Sequence, residues 1–189
     1  MKGNEEVSIM ALAQRKIREE KPDFQEFMDA WRKLATPGKP HKLLARRVGW
    51  WSTKSRHWMD IDEPPVESEG SCERKMILDG RFLQEEFNGE MMGSPFTGIG
   101  ITGYDNHTKK YVMTWIDTLS TGTYRFEGSA GEDGKTIRME GRFDDPVKGP
   151  VTWRGVTRFV DENTEVAEMR GTYDRGGETK CETTYTRRK

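Results

Sequence analysis

From Val48 to the C-terminus, apolar and polar residues alternate with period two, and turn-forming pairs break the alternation at short intervals. Asp79-Gly80, Asn88-Gly89, Asp105-Asn106, Asp133-Gly134, Asp161 to Asn163 and Gly176-Gly177 supply the positive-φ residues that tight hairpins require. The pattern predicts about ten strands, near residues 48–58, 68–78, 81–88, 96–104, 110–117, 121–128, 135–143, 151–160, 164–173 and 178–187. No helix-length segment separates any two of them, which excludes the crossovers that parallel pairing needs. An open sheet of hairpin-linked strands would present two unpaired edges, and closure removes both. The expected fold is therefore mainly β, an antiparallel up-and-down barrel of about ten strands behind an N-terminal helical extension.

Side-chain alternation indicates what fills such a barrel. Ile137, Met139 and Phe143 alternate with Arg138, Glu140 and Arg142, and Tyr124 and Phe126 alternate with Arg125 and Glu127, so the first set in each case should face inward. The third strand is different. Arg81, Leu83, Glu85 and Phe87 oppose Phe82, Gln84, Glu86 and Asn88, and either face puts polar groups inside. Eight strands enclose an interior that side chains roughly fill, and ten enclose more. The spare volume is the first indication of a ligand site.

Residues 1–40 read as a separate helical extension, and residues 41–189 as the barrel domain. Ile9, Leu12, Ala13 and Ile17 have helical spacing, and after Lys21-Pro22 so do Phe24, Phe27, Met28, Trp31 and Leu34. Asp23 and Glu26 have the form of a capping box, and Pro37-Gly38 ends the second helix. Its apolar stripe needs a cover, either one mouth of the barrel or a second copy of the chain as a homodimer.

Composition removes several function classes. The net charge is −1, with acidic and basic residues interleaved, so the chain lacks the basic footprint of nucleic-acid binding. No run approaches the roughly 18 apolar residues of a membrane span, and the charged N-terminus lacks a signal-peptide core. Cys72 and Cys181 are too few for a secreted disulfide framework. A cytoplasmic protein with free thiols is expected. Their strands should flank the first strand, two strand spacings or about 9.6 Å apart, beyond the roughly 7 Å reach of a bridge. His41, His57 and His107 show no zinc-site spacing, and no His follows His107 to ligate a haem iron. No metal and no cofactor is expected. Nucleophile elbows and phosphate-binding loops are also missing, which disfavours an enzyme.

Met91-Met92-Gly93-Ser94-Pro95-Phe96-Thr97-Gly98 is followed by Gly103-Tyr104-Asp105, Lys110-Tyr111-Val112 and Thr114-Trp115-Ile116-Asp117. His41-Lys42-Leu43-Leu44 precedes this string, and Tyr185-Thr186-Arg187-Arg188 ends the chain. Over residues 40–189 this resembles the bacterial family known as domain of unknown function 1579, which implies calycin-type barrel architecture and no established activity. Gly49-Trp50-Trp51 is similar to the Gly-x-Trp that opens lipocalin-like barrels, where the indole closes the floor and an Arg from the last strand stacks on it. By that resemblance Trp51 and Arg187 are the closure pair, with a structural role.

The ligand-facing candidates are Arg81, Gln84, Tyr104, Trp115 and Asp117, with Glu86 behind them, because aromatic walls bearing a few polar groups describe a small-molecule pocket. Met91, Met92 and Phe96 should form a loop after Asn88-Gly89, where an apolar lid or a packed rim would lie. The leading reading is a binding barrel for a small, largely apolar molecule whose polar end is anchored by Arg81 or by Tyr104 and Asp117. The alternatives are a solid barrel that dimerises through its N-terminal helices, and a barrel enzyme of isomerase or cyclase type.

Overall fold

The computed structural model describes residues 23–189. The helix expected over Ile9 to Ile17 lies outside the described residues. The chain divides into two compact units between Thr36 and Pro37. The first contains helix α1 (Phe24–Ala35), where Phe27 and Trp31 meet edge to face at 6.1 Å. Asp23 occupies the N-cap position, but the expected capping box does not form: its side chain makes no capping bond, and its carbonyl accepts from the Phe27 N–H at 2.9 Å.

The second unit begins with a short helix, α2 (Lys39–Ala45), that sequence periodicity alone did not reveal. Pro40 occupies its first turn, where a missing N–H is harmless, and His41 Nδ1 accepts from the Gly38 N–H at 3.0 Å. Ten strands follow: β1 (Gly49–Trp58), β2 (Val66–Ile77), β3 (Phe82–Met91), β4 (Ser94–Asp105), β5 (Lys110–Asp117), β6 (Tyr124–Ala130), β7 (Thr136–Asp145), β8 (Gly149–Phe159), β9 (Thr164–Tyr173) and β10 (Glu178–Arg187). Each pairs antiparallel with its neighbour in sequence, and β10 returns to β1 to close the barrel, with Trp51 opposite Arg187.

The hairpin after β3 departs from expectation. Asn88 and Gly89 continue the strand, and the reversal falls at Met92 and Gly93, both with positive φ. Gly89 serves packing instead, since a Cβ there would lie 2.9 Å from the Phe87 ring. Met91 and Phe96 are thus strand residues, and Phe96 is buried. No loop long enough for a lid separates β3 from β4.

One end of the barrel is sealed. Leu43 and Leu44 of α2 pack on Leu83, Tyr111 and Ile137, and the Tyr111 hydroxyl donates to the Pro40 carbonyl at 3.2 Å. Beside them lies a second cluster of Trp51, Cys72, Phe159 and Tyr185. Arg187 lies 4.1 Å above the Trp51 ring, and its guanidinium also bonds the Val48 and Arg46 carbonyls. The Trp51 indole N–H donates to the Arg47 carbonyl at 2.9 Å. Sealing at this end leaves the other as the way in. Both cysteines are free. Cys72 stands opposite Trp51 and Cys181 opposite His57, on either side of β1 and toward opposite ends of it.

Candidate functional site

A cavity of about 540 Å³ occupies the barrel between the sealed floor and the opposite mouth, within the range of small-molecule pockets. Its walls are unlike one another. On β10, β1 and β2 the lining is polar, with Thr183, Cys181, Ser55, His57 and Ser68. On β4 to β8 it is aromatic and apolar, with Phe96, Trp115, Phe126, Phe143 and Trp153.

Trp115 is, with Trp153, one of two indoles in the aromatic wall, and its pose follows from two glycines on the neighbouring strand. Gly98 stands opposite Asp117 and Gly100 opposite Trp115. A Cβ at Gly98 would lie 2.1 Å from Trp115 Cζ2, and one at Gly100 would lie 3.1 Å from Cε3, so the indole spans both positions. Its Nε1–H donates to Asp117 Oδ2 at 2.8 Å, and Asp117 Oδ1 accepts from the Leu119 N–H at 2.9 Å. Phe96 stacks on the indole with centroids 6.5 Å apart, and Phe143 meets Tyr124 and Phe126 edge to face at 5.1 and 5.0 Å. Gly98→Ala should therefore expel the indole from its seat and destabilise the barrel by about 1–3 kcal/mol, the usual cost of overpacking. Trp fluorescence and chemical denaturation of this variant check it: an unchanged emission maximum and unchanged stability would contradict the described seat.

The floor holds a charge network that sequence reasoning missed. Glu165 is 0% exposed, and its two oxygens accept from Arg47 Nε at 2.6 Å and Arg74 Nη1 at 2.8 Å. Arg74 also bonds Glu85, and its guanidinium sits 4.2 Å from the Tyr185 ring centroid. Burial pushes the Glu165 carboxyl toward neutrality, but Arg74 and Arg47 outweigh it and hold its pKa below the usual value. For Arg74, burial disfavours the cation while Glu85 and Glu165 favour it, with a net upward shift. Two cations and two anions thus cancel. Because both Glu165 oxygens are engaged, the floor carboxylate is a strut rather than a proton carrier. Arg47 Nη2 and Thr53 Oγ1 are buried without a hydrogen-bond partner.

Near the mouth, Cys181 Sγ lies 4.0 Å from His57 Nε2 and 3.7 Å from Thr183 Oγ1. Burial lowers the His57 pKa and raises that of Cys181 to about 11, so both groups are neutral at pH 7. Burial also drives Cys72, beside the Glu85 carboxylate, up to about 12. Neither thiol has the depressed pKa of a nucleophile. Among the described residues no cluster of three or more His, Cys, Asp or Glu is placed to hold a metal ion, and no helix is long and apolar enough to cross a membrane.

Of the ligand-facing residues expected from sequence, the cavity brings together Trp115 and Asp117. Gln84 and Glu86 lie on the other face of β3, hydrogen-bonded to each other at 2.7 Å, with Glu86 paired to Lys75. Arg81 sits in the turn before β3, where it bonds the Leu78 carbonyl and pairs with Asp79. Tyr104 packs between His41 and Tyr111 beneath α2.

A family model described as protein of unknown function (DUF1579) matches residues 36–188. The chain belongs to this DUF1579 family. Curated proteins contain no match to it. Among solved structures, the S-type phycobiliprotein lyase of Guillardia theta is similar at 12% identity and a TM-score of 0.59, covering 89% of this chain and 99% of that one. A de novo designed fluorescence-activating β-barrel is similar at 15% identity and a TM-score of 0.42, covering 77% of this chain and 96% of that one. At 12% identity the likeness to the lyase is one of fold. In this DUF1579 member the architecture shared with the lyase leaves a hollow whose lining belongs to its own sequence.

Proposed function

We propose that this protein is a cytoplasmic binding barrel for a small, largely apolar molecule with a flat ring system, held against Trp115 with its polar end toward Asp117. The observation that carries the reading is the cavity itself, about 540 Å³, sealed at the floor and walled on one side by aromatic rings. A barrel built only for stability would fill that volume with side chains, because empty apolar space forfeits dispersion contacts. The seat that Gly98 and Gly100 make for the indole presents a broad ring surface of the kind that stacks on planar ligands.

Titration with the neutral fluorophore N-phenyl-1-naphthylamine tests this reading. Saturable enhancement of the dye is expected, with Trp115→Ala weakening binding about fivefold or more, the scale of one lost aromatic stack. Circular dichroism confirms that the variant keeps its fold. Absence of saturable binding to the wild-type protein, by this dye and by charged dyes with flat rings alike, would overturn the proposal.

A further inference from the structure

The charges around the cavity narrow the class of its occupant, an inference that rests on the binding reading above. At the floor they cancel, since Arg47 and Arg74 are matched by Glu165 and Glu85. At the mouth they do not. Asp117 ends β5, Asp145 ends β7, and both line the cavity, with Glu90 and Asp144 beside them on the rim.

The hydrogen-bond partners of the two strand-end carboxylates are neutral. Asp117 accepts from the Trp115 indole and the Leu119 N–H. Asp145 accepts from the Val147 and Lys148 N–H groups and from the Tyr173 hydroxyl. Two cations near this end are partly engaged. Lys148, whose charge helps to lower the Asp145 pKa, donates from Nζ to the Met59 carbonyl at 3.1 Å and lies over the Tyr173 ring, and Arg142, which attracts Asp144, is paired with Asp174, so neither forms an ion pair with Asp117 or Asp145. His57 faces the same end from β1.

Low-dielectric walls concentrate the field of carboxylates at an opening. Aromatic rings stand among these carboxylates, with Asp117 bonded to the indole edge of Trp115 and Phe143 two residues before Asp145 on the same face of β7. Ring faces attract cations, most strongly where water is excluded. The acidic groups do not converge as metal ligands would, so the negative charge is spread around the opening on the scale of an organic ion. We infer that the cavity takes a flat organic cation, its ring system against Trp115 and its positive charge at the mouth, between the aromatic faces and Asp117 and Asp145.

Three dyes separate the possibilities by fluorescence titration of the full chain. They are thioflavin T, a flat cation; N-phenyl-1-naphthylamine, which is neutral; and 1-anilinonaphthalene-8-sulfonate, the anionic relative of the second. Thioflavin T should bind about tenfold or more tightly than the sulfonate, and its affinity should fall as salt rises. Asp117→Asn, which keeps an oxygen acceptor for the indole, should weaken thioflavin T about three- to tenfold relative to the neutral dye. Asp145→Asn should act in the same direction. The inference is overturned if the sulfonate binds as tightly as the neutral dye, or if neither variant changes the ratio of cationic to neutral binding. Failure of all three dyes removes the binding reading as well, whereas tight neutral binding without preference for the cation removes only the charge assignment.

Discussion

Glu165→Ala is expected to destabilise the barrel by about 3–5 kcal/mol, because it strands two guanidiniums in the floor without their shared carboxylate. Arg47 and Arg74 are 6% and 4% exposed, so neither can turn to water for compensation. Glu165→Gln keeps the shape and one acceptor oxygen but loses the charge, and should fall between the wild type and the alanine variant. The same network dictates a response to acid. The folded-state pKa of Glu165 lies below the ordinary glutamate value of 4.5, so its contribution to stability is fully present above pH 4.5 and is lost as pH falls through the depressed value. Urea midpoints taken from pH 7 down to pH 3 should therefore fall more steeply for the wild type than for Glu165→Gln. Parallel curves, or a loss below about 1 kcal/mol in the alanine variant, would show that Glu165 is not the keystone of the floor.

Trp51→Ala should cost a similar amount, about 3–5 kcal/mol, as expected for a large aromatic residue removed from a packed site. The ring is 0% exposed, touches Cys72, Phe159 and Tyr185, and has guanidiniums centred 4.1 Å (Arg187) and 5.5 Å (Arg74) from its centroid. Truncation also leaves the Arg47 carbonyl without the indole donor. Trp51→Phe retains a ring for the cations and should recover roughly half of the loss. Equilibrium denaturation distinguishes the two, and equal losses would mean that the ring face contributes nothing beyond the hydrogen bond.

The barrel was readable from the chain because its causes are local. Asp79 and Gly80, and Gly176 and Gly177, adopt the positive φ that their turns demand, and alternation marks the strands between such turns. Where a glycine serves packing rather than turning, as at Gly89 beside Phe87, the same signal misleads, and the reversal moves to Met92 and Gly93. Trp115 and Asp117 could be placed on one face because two residues separate a pair on one side of a strand. Gln84 and Glu86 could not be separated from Glu85 in this way, since β3 carries polar residues at both parities. Only the Arg74 guanidinium, which stands opposite Glu85 on β2, decides which parity faces inward. The Glu165 network has no sequence signal at all. Its partners lie 118 and 91 residues away, and three charged residues scattered so widely read as solvated surface.

The pairing of every strand with its chain neighbour has a kinetic consequence. Nine of the ten ladders can form from short hairpins, but the one between β1 and β10 must join the two ends of the domain. That encounter carries most of the loop-closure entropy and raises the mean sequence separation of contacts, which slows folding. Trp51, Arg187, Arg74 and Glu165 all lie on the strands at or next to this seam. Their interactions then belong to the last event of assembly, so weakening them should accelerate unfolding far more than it retards folding.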